Sequence, residues 1–234
     1  MNIIVTGASR GIGYELVKVL AQDPENRIIA ISRNKQKLEA LRQECLSGSP
    51  WSAVSIIPHD LADIHLMGRL TSQIEQTFKH VDVLVNNAGV LIHKPFEQLQ
   101  PEDFDQMFTV NVKAVVSLIQ SLLGIMNEGA HIVNIGSMGG FQGSSKFNGM
   151  SLYSASKGAL AILTECLAEE FRPRGISVNM LALGSVDTEM LQQAFPGYHA
   201  PVNAVDMARY IASFSLSAHH FMNGKIIPLA LSTP

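Results

Sequence analysis

Short apolar runs, dense in Val and Ile, alternate with amphipathic stretches along the chain. NIIVTG (2–7), RIIAIS (27–32), AVSIIP (53–58), VDVLVN (81–86), AHIVNIG (130–136), ISVNML (176–181) and KIIPLA (225–230) are nearly continuous in apolar residues. That is the pattern of strands covered on both faces, and it predicts seven of them. Helical periodicity falls between them, over 12–22, 35–46, 62–79, 101–127, 153–171 and 205–213. Pro101 followed by Glu102 and Asp103 marks a helix start, and Pro173 with Gly175 marks a helix stop. Strands alternating with helices predict right-handed βαβ units. The expected fold is α/β, a doubly wound, seven-stranded parallel sheet with helices on both faces, in one domain over 1–234. The stretch 184–204 has no clear periodicity and contains AFPGYHAP. It is expected to form a loop on the ligand side of the sheet.

Composition narrows the function. Hydrophobic residues make up 47% and charged residues 16%, which suits a packed core. The formal charge is −3, so neither a nucleic-acid partner nor a polybasic membrane surface is expected. Cys45 and Cys166 stand at no ligand spacing, and the eight histidines, His219-His220 included, show no metal spacing. No metal site is expected. The N-terminus lacks the basic flank and long apolar stretch of a signal peptide, and no apolar run is expected to reach the roughly 18 residues of a membrane span. A soluble cytoplasmic protein is the expectation.

The first predicted strand runs into TGASRGIG (6–13). Its glycines divide the work: Gly7 allows a tight turn, Gly11 lets the backbone approach a pyrophosphate, and Gly13 lets a helix pack on the strand. The helix N-terminus then faces anionic phosphates. About 20 residues further on, a carboxylate would bond the adenosine ribose hydroxyls. The chain has Ser32 and Arg33 there instead, and Arg10 lies in the glycine loop. Guanidinium groups pair well with a 2′-phosphate. NADP(H) is therefore expected over NAD(H).

Further motifs stand in order: HDL (59–61), NNAG (86–89), Asn111, IGS (135–137), YSASK (153–157) and GSVDTEM (184–190). With TGASRGIG, they make the chain resemble the short-chain dehydrogenase/reductase family, nearest in flavour to 3-oxoacyl-carrier-protein reductases. The resemblance implies a Rossmann domain and assigns roles. Gly7, Ser9, Arg10, Gly11, Ile12 and Gly13 would hold the cofactor phosphates, with Ser32 and Arg33 beside them. Asp60 and Leu61 would contact the adenine. Asn87, Ala88 and Gly89 would form the floor beneath the cofactor, and Gly184, Val186 and Thr188 would hold the nicotinamide amide and phosphates. It also implies a homodimer or homotetramer.

Tyr153 and Lys157 are one helical turn apart and share a face. A nearby ammonium is expected to lower the pKa of the phenol, making Tyr153 a usable general acid or base. Ser137, at the end of a strand, can donate to a substrate oxygen as charge develops on it. Within the resemblance, Lys157 also bonds the nicotinamide ribose, and Asn111 holds a water that links the lysine to solvent. The implied activity is hydride transfer between NADPH and a ketone or aldehyde, or the reverse from an alcohol. The alternative is an NADPH-binding redox sensor with little turnover; retention of both Tyr153 and Lys157 argues against it.

Three features depart from the family pattern. Ser137 and Tyr153 are 16 residues apart, a longer interval than is usual, and the excess falls in FQGSSKFNGM. That makes 138–151 a substrate-side loop, in which Ser144 and Ser145 are expected to meet solvent or substrate. Leu183-Gly184 replaces a Pro-Gly, and the chain closes on NGKIIPLALSTP. Leu91, Ile92, His93, Phe141, Leu183, Met190 and Phe195 are candidates to line the substrate pocket. Ser154 and Ser156 are expected as small residues that allow close packing.

Overall fold

A computed structural model describes residues 1–231; Ser232, Thr233 and Pro234, the end of the expected domain, lie outside the described residues. Seven strands form one parallel sheet: β1 (Asn2–Thr6), β2 (Arg27–Ser32), β3 (Ala53–Pro58), β4 (Val81–Asn86), β5 (Met126–Ser137), β6 (Ser177–Leu183) and a last strand at Ile226–Leu229. Their order is β3-β2-β1-β4-β5-β6 followed by the last strand, every pair parallel. The order reverses between β1 and β4. A crevice opens at the carboxyl ends of these two strands, the usual ligand position in such a sheet.

Alternation along each strand feeds two cores. Ile3, Val5, Val83, Val85 and Ile135 face α1 (Gly11–Leu20), α2 (Lys35–Gly48) and a helix at Ala204–Ser217, meeting Leu16, Leu38 and Ile211. Ile4, Leu84 and Ile132 face the other way. They meet α3 (Met67–Thr77) and a long helix at Ser151–Glu170 through Leu70, Ile74, Leu160 and Ala168.

The stretch expected as one helix over 101–127 is divided. α4 (Pro101–Phe108) passes into a π-helical turn at Thr109–Lys113, then α5 (Ala114–Leu122) and a 3₁₀ turn at Leu123–Ile125. β5 begins at Met126, which pairs with Val81. A π turn inserts one extra residue into the helix, and a single such shift is too brief to stand out in the apolar spacing of a long helical stretch. The run Pro101–Ile125 is also long and apolar enough to cross a membrane, with mean hydropathy 1.6, contrary to the expectation that no run reaches this length. In the fold its apolar side packs on α3 and the sheet through Val115, Leu118, Ile119 and Leu122.

The long helix Ser151–Glu170, α6, starts two residues before the expected point and ends in a 3₁₀ turn that Gly175 closes at φ +66°. The unassigned stretch 184–204 holds short elements. β7 (Val186–Asp187) pairs in parallel with β8 (Val202–Asn203), and α7 (Glu189–Ala194) lies between them. The helix at Ala204–Ser217 is then α8, capped by Asn203 Oδ1 accepting from Asp206 N at 2.9 Å, and the strand at Ile226–Leu229 is β9.

Candidate active site

The glycine loop fits between β1 and β4 because it lacks side chains. Gly7 and Gly11 have φ of +69° and +56°. A methyl at Gly7 would stand 2.8 Å from Ala88 Cα, and one at Gly13 would stand 2.5 Å from the Gly7 carbonyl oxygen. Gly13 therefore sets how closely α1 packs against the loop. Thr6 staples the two strand ends: its hydroxyl accepts from Asn87 N and Ala88 N, both at 3.0 Å. Asn87 Nδ2 returns a bond to the Thr6 carbonyl at 3.0 Å.

The α1 N-terminus opens onto a cleft of about 340 Å³ lined by Ser9, Arg10, Gly11, Tyr14, Glu15, Lys37, Ala40 and Glu189. Arg10 makes no side-chain cap, and the first turn carries no acidic residue. Unpaired N–H groups there suit an anion. Ser32 Oγ donates to Ser9 Oγ at 2.7 Å, which ties the end of β2 to the glycine loop and brings the segments bearing Arg33 and Arg10 together. Arg33 lies 3.9 Å from Asp60, whose other oxygen accepts from Ala62 N at 3.0 Å in a tight turn. Leu61 is buried beside them. Thr188 packs over Gly11, its methyl 3.5 Å from where a side chain on Gly11 would begin. Its hydroxyl accepts from Leu191 N and so starts α7. Positive-φ glycines, an open helix N-terminus and flanking cations fit a dinucleotide phosphate chain.

Leu183-Gly184 has a packing reason. Gly184 N donates to Leu229 O at 2.7 Å, and a methyl at Gly184 would stand 2.9 Å from Ala230 Cβ. Val186, two residues on, is buried in the core on the α1 and α8 side.

Ser137, Tyr153 and Lys157 meet at the end of β5. Gly139 and Gly140, just past Ser137, lie directly on α6: a methyl on Gly140 would stand 2.5 Å from the Lys157 carbonyl carbon. That contact holds the strand end against the helix that carries the other two residues. The Ser137 hydroxyl accepts from Gly139 N at 3.1 Å. Lys157 is buried and donates to the Ile135 carbonyl at 2.8 Å. Its ammonium lies 6.0 Å from the centre of the Tyr153 ring.

The electrostatics differ from the sequence expectation. Burial pushes the Tyr153 phenol up to about 12, and the Ser137 hydroxyl offsets only part of this. Burial also pulls the Lys157 ammonium down to about 8. The lysine was expected to lower the tyrosine. It cannot dominate here, because the same dry surroundings penalise the charged form of each group. Burial thus favours the protonated, neutral form of Tyr153.

Asn111 sits in the π turn and is fully buried. It accepts from Val90 N at 2.9 Å, donates to Val90 O at 3.0 Å, and donates to Ser156 Oγ at 3.0 Å. Gly89 runs past it, and a methyl there would stand 3.3 Å from Asn111 Oδ1 and 3.5 Å from Lys157 Nζ. Ser156, expected only as a small residue, is a hydrogen-bonding partner and passes the contact to the Tyr153 carbonyl at 2.7 Å. Ser144 also departs from expectation: it bonds to the Met138 and Phe141 carbonyls and receives Lys146 Nζ at 2.7 Å, so it holds its loop together internally.

The expected substrate residues divide. Leu91, Ile92 and Phe195 pack around Tyr153 with Met107 and Met150. His93 joins that wall, its ring 4.7 Å from Phe195 and its Nε2 3.1 Å from the Asn148 carbonyl oxygen. Phe141 and Met190 are only partly buried and lie outside the Tyr153 cluster. Leu183 faces away from it, into the core on the α1 and α8 side, because alternation along β6 turns it there.

A sheet with this strand reversal, a glycine loop at its first turn and a Ser-Tyr-Lys group at the fifth strand end defines a dinucleotide-binding oxidoreductase architecture. The profile of the short chain dehydrogenase family matches residues 1–199. The chain belongs to that family. An uncharacterized oxidoreductase from Staphylococcus aureus (strain MW2) is 28% identical over 210 residues, 89% of this chain and 87% of the relative. A short chain dehydrogenase from Burkholderia cenocepacia J2315, solved in complex with NADP, superposes with a TM-score of 0.85 at 30% identity, covering 97% of this chain and 95% of that one. A short-chain dehydrogenase/reductase from Serratia marcescens BCRC 10948 gives the same four values.

Proposed function

We propose that this oxidoreductase reduces a ketone or aldehyde with NADPH. The observation that carries the reading is the convergence of Ser137, Tyr153 and Lys157 at the carboxyl end of β5, the side of the sheet on which the glycine loop follows β1. The nicotinamide cofactor, when bound, supplies the hydride. Tyr153 donates its phenolic proton to the oxygen as negative charge builds there, a role suited to a group that keeps its proton at neutral pH. Ser137 positions and polarises the same oxygen. Lys157, held by the Ile135 carbonyl, has N–H donors left for the ribose and restores the proton environment of Tyr153. Asn111 fixes Val90 and Ser156 on either side of this group.

Arg10 and Arg33 support NADPH over NADH, since Ser9–Ser32 pairing brings their segments to one corner of the cleft. The substrate wall of Leu91, Ile92, His93 and Phe195 suits a small, partly apolar carbonyl compound. We also assign a cytoplasmic location and a homodimer or homotetramer. Family membership and the exposure of Phe104 and Ile162, on α4 and α6, support self-association. Steady-state NADPH oxidation over a panel of ketones and aldehydes tests the function. Turnover on at least one class supports it; NADPH binding without turnover on any favours the redox-sensor reading.

A further inference from the structure

The dinucleotide cleft carries a charge bridge that reductase chemistry does not require. Glu189, the first residue of α7, reaches two cations at once. Its Oε2 lies 3.3 Å from Arg10 Nη1 and its Oε1 lies 3.6 Å from Lys37 Nζ. The three side chains come from separate elements: Arg10 precedes α1, Lys37 lies in the first turn of α2, and Glu189 comes from the segment that crosses the cleft. All three line the same cleft as Ser9 and Gly11. Asn34 caps α2 by accepting from Lys37 N at 2.9 Å, which fixes the lysine backbone just past Arg33. A carboxylate held between two cations at the mouth of a phosphate cradle occupies a position that a free anion could take.

We propose that Glu189 is a tethered stand-in for the adenosine 2′-phosphate of NADPH, and that Lys37 is a third cation of that phosphate site beside Arg10 and Arg33; this rests on the NADPH reading above. A 2′-phosphate brings about −1.5 to −2 charges against the single charge of the carboxylate, and displaces it from the cations. A cofactor without that phosphate leaves the bridge intact. Glu189 thus weakens every 2′-phosphorylated ligand by competition and leaves unphosphorylated ones alone. The bridge is partly exposed, with Arg10 at 38%, Lys37 at 48% and Glu189 at 52% side-chain exposure, so the competition is modest.

Calorimetric affinities of the full chain for adenosine 2′,5′-bisphosphate and for 5′-AMP test this. Glu189→Gln is expected to bind the bisphosphate about three- to fivefold tighter, with 5′-AMP unchanged. Lys37→Gln is expected to weaken the bisphosphate by a similar factor, again sparing 5′-AMP. A bisphosphate affinity unchanged or weakened in Glu189→Gln, or an equal gain for 5′-AMP, overturns the proposal while NADPH preference stands. A wild-type chain that binds the bisphosphate no tighter than 5′-AMP overturns the NADPH reading itself, and this proposal with it.

Discussion

Lys157 places its ammonium 6.0 Å from the centre of the Tyr153 ring while donating to the Ile135 carbonyl at 2.8 Å. The lysine is therefore tied to β5 and the tyrosine to the same turn of α6, and burial acts on both. A pH prediction follows from the sign of each shift. Lys157 falls from 10.5 to about 8, so below about pH 8 the folded protein holds a buried ammonium at a cost. Between about 8 and 10.5 the unfolded chain keeps a proton that the native one has lost, and stability rises with pH. Tyr153, raised from 10.0 to about 12, acts in the opposite sense above about pH 10. Lys157→Met removes the first effect. Urea titrations at about pH 7 and about pH 9.5 are expected to show wild type gaining on the variant as pH rises. A constant difference between the two would contradict the burial argument.

Asn111 is expected to matter for stability as well as turnover. Its carboxamide satisfies both Val90 backbone groups and Ser156 in a fully buried position. Asn111→Ala leaves those groups unpaired and is expected to cost about 2–3 kcal/mol in denaturant unfolding. Loss of turnover with unchanged stability would assign Asn111 a role without this structural one.

Gly13→Ala tests the loop packing. The added methyl would stand 2.5 Å from the Gly7 carbonyl oxygen and against Asn87 Nδ2. Backbone on one side cannot yield, so a loss of about 2 kcal/mol is expected, with weaker NADPH binding. Wild-type stability and affinity would show that α1 can move away freely.

His93 links the segment 138–151 to the end of α7, through Asn148 and Phe195. His93→Ala is expected to raise KM for the carbonyl substrate about two- to tenfold and to leave NADPH affinity unchanged. Equal effects on both ligands would place His93 outside the substrate wall.

Much of this was legible because each strand is a near-continuous apolar run, and each loop needs glycine at a fixed place. RIIAIS, AVSIIP and VDVLVN became β2, β3 and β4 over the residues expected. Ser137, Tyr153 and Lys157 could be brought together from their positions on a strand end and one helix face. Other parts were hidden for physical reasons. The π turn that seats Asn111 shifts the hydrophobic spacing by one residue over a single turn, too little to stand out. β7, α7 and β8 span two to six residues each, too short for periodicity. Ser156 and Ser144 read as small loop or helix residues until their partners are seen. The meeting of Lys37 and Glu189 has no signal in the sequence, since it depends on how the segment after β6 folds back. The Tyr-x-x-x-Lys pattern points to a lowered Tyr153 pKa, the opposite of the raised one found, because it shows the neighbouring charge but not the depth of burial.

The central claim is that Tyr153 supplies the proton to the reduced oxygen, and the most direct test is Tyr153→Phe with turnover and NADPH affinity measured on the same preparation. Removing only the hydroxyl is expected to lower kcat by about 10²–10⁴-fold while NADPH binds within about twofold of wild type. Turnover near the wild-type rate in that variant, on a substrate the wild type reduces, would contradict the account.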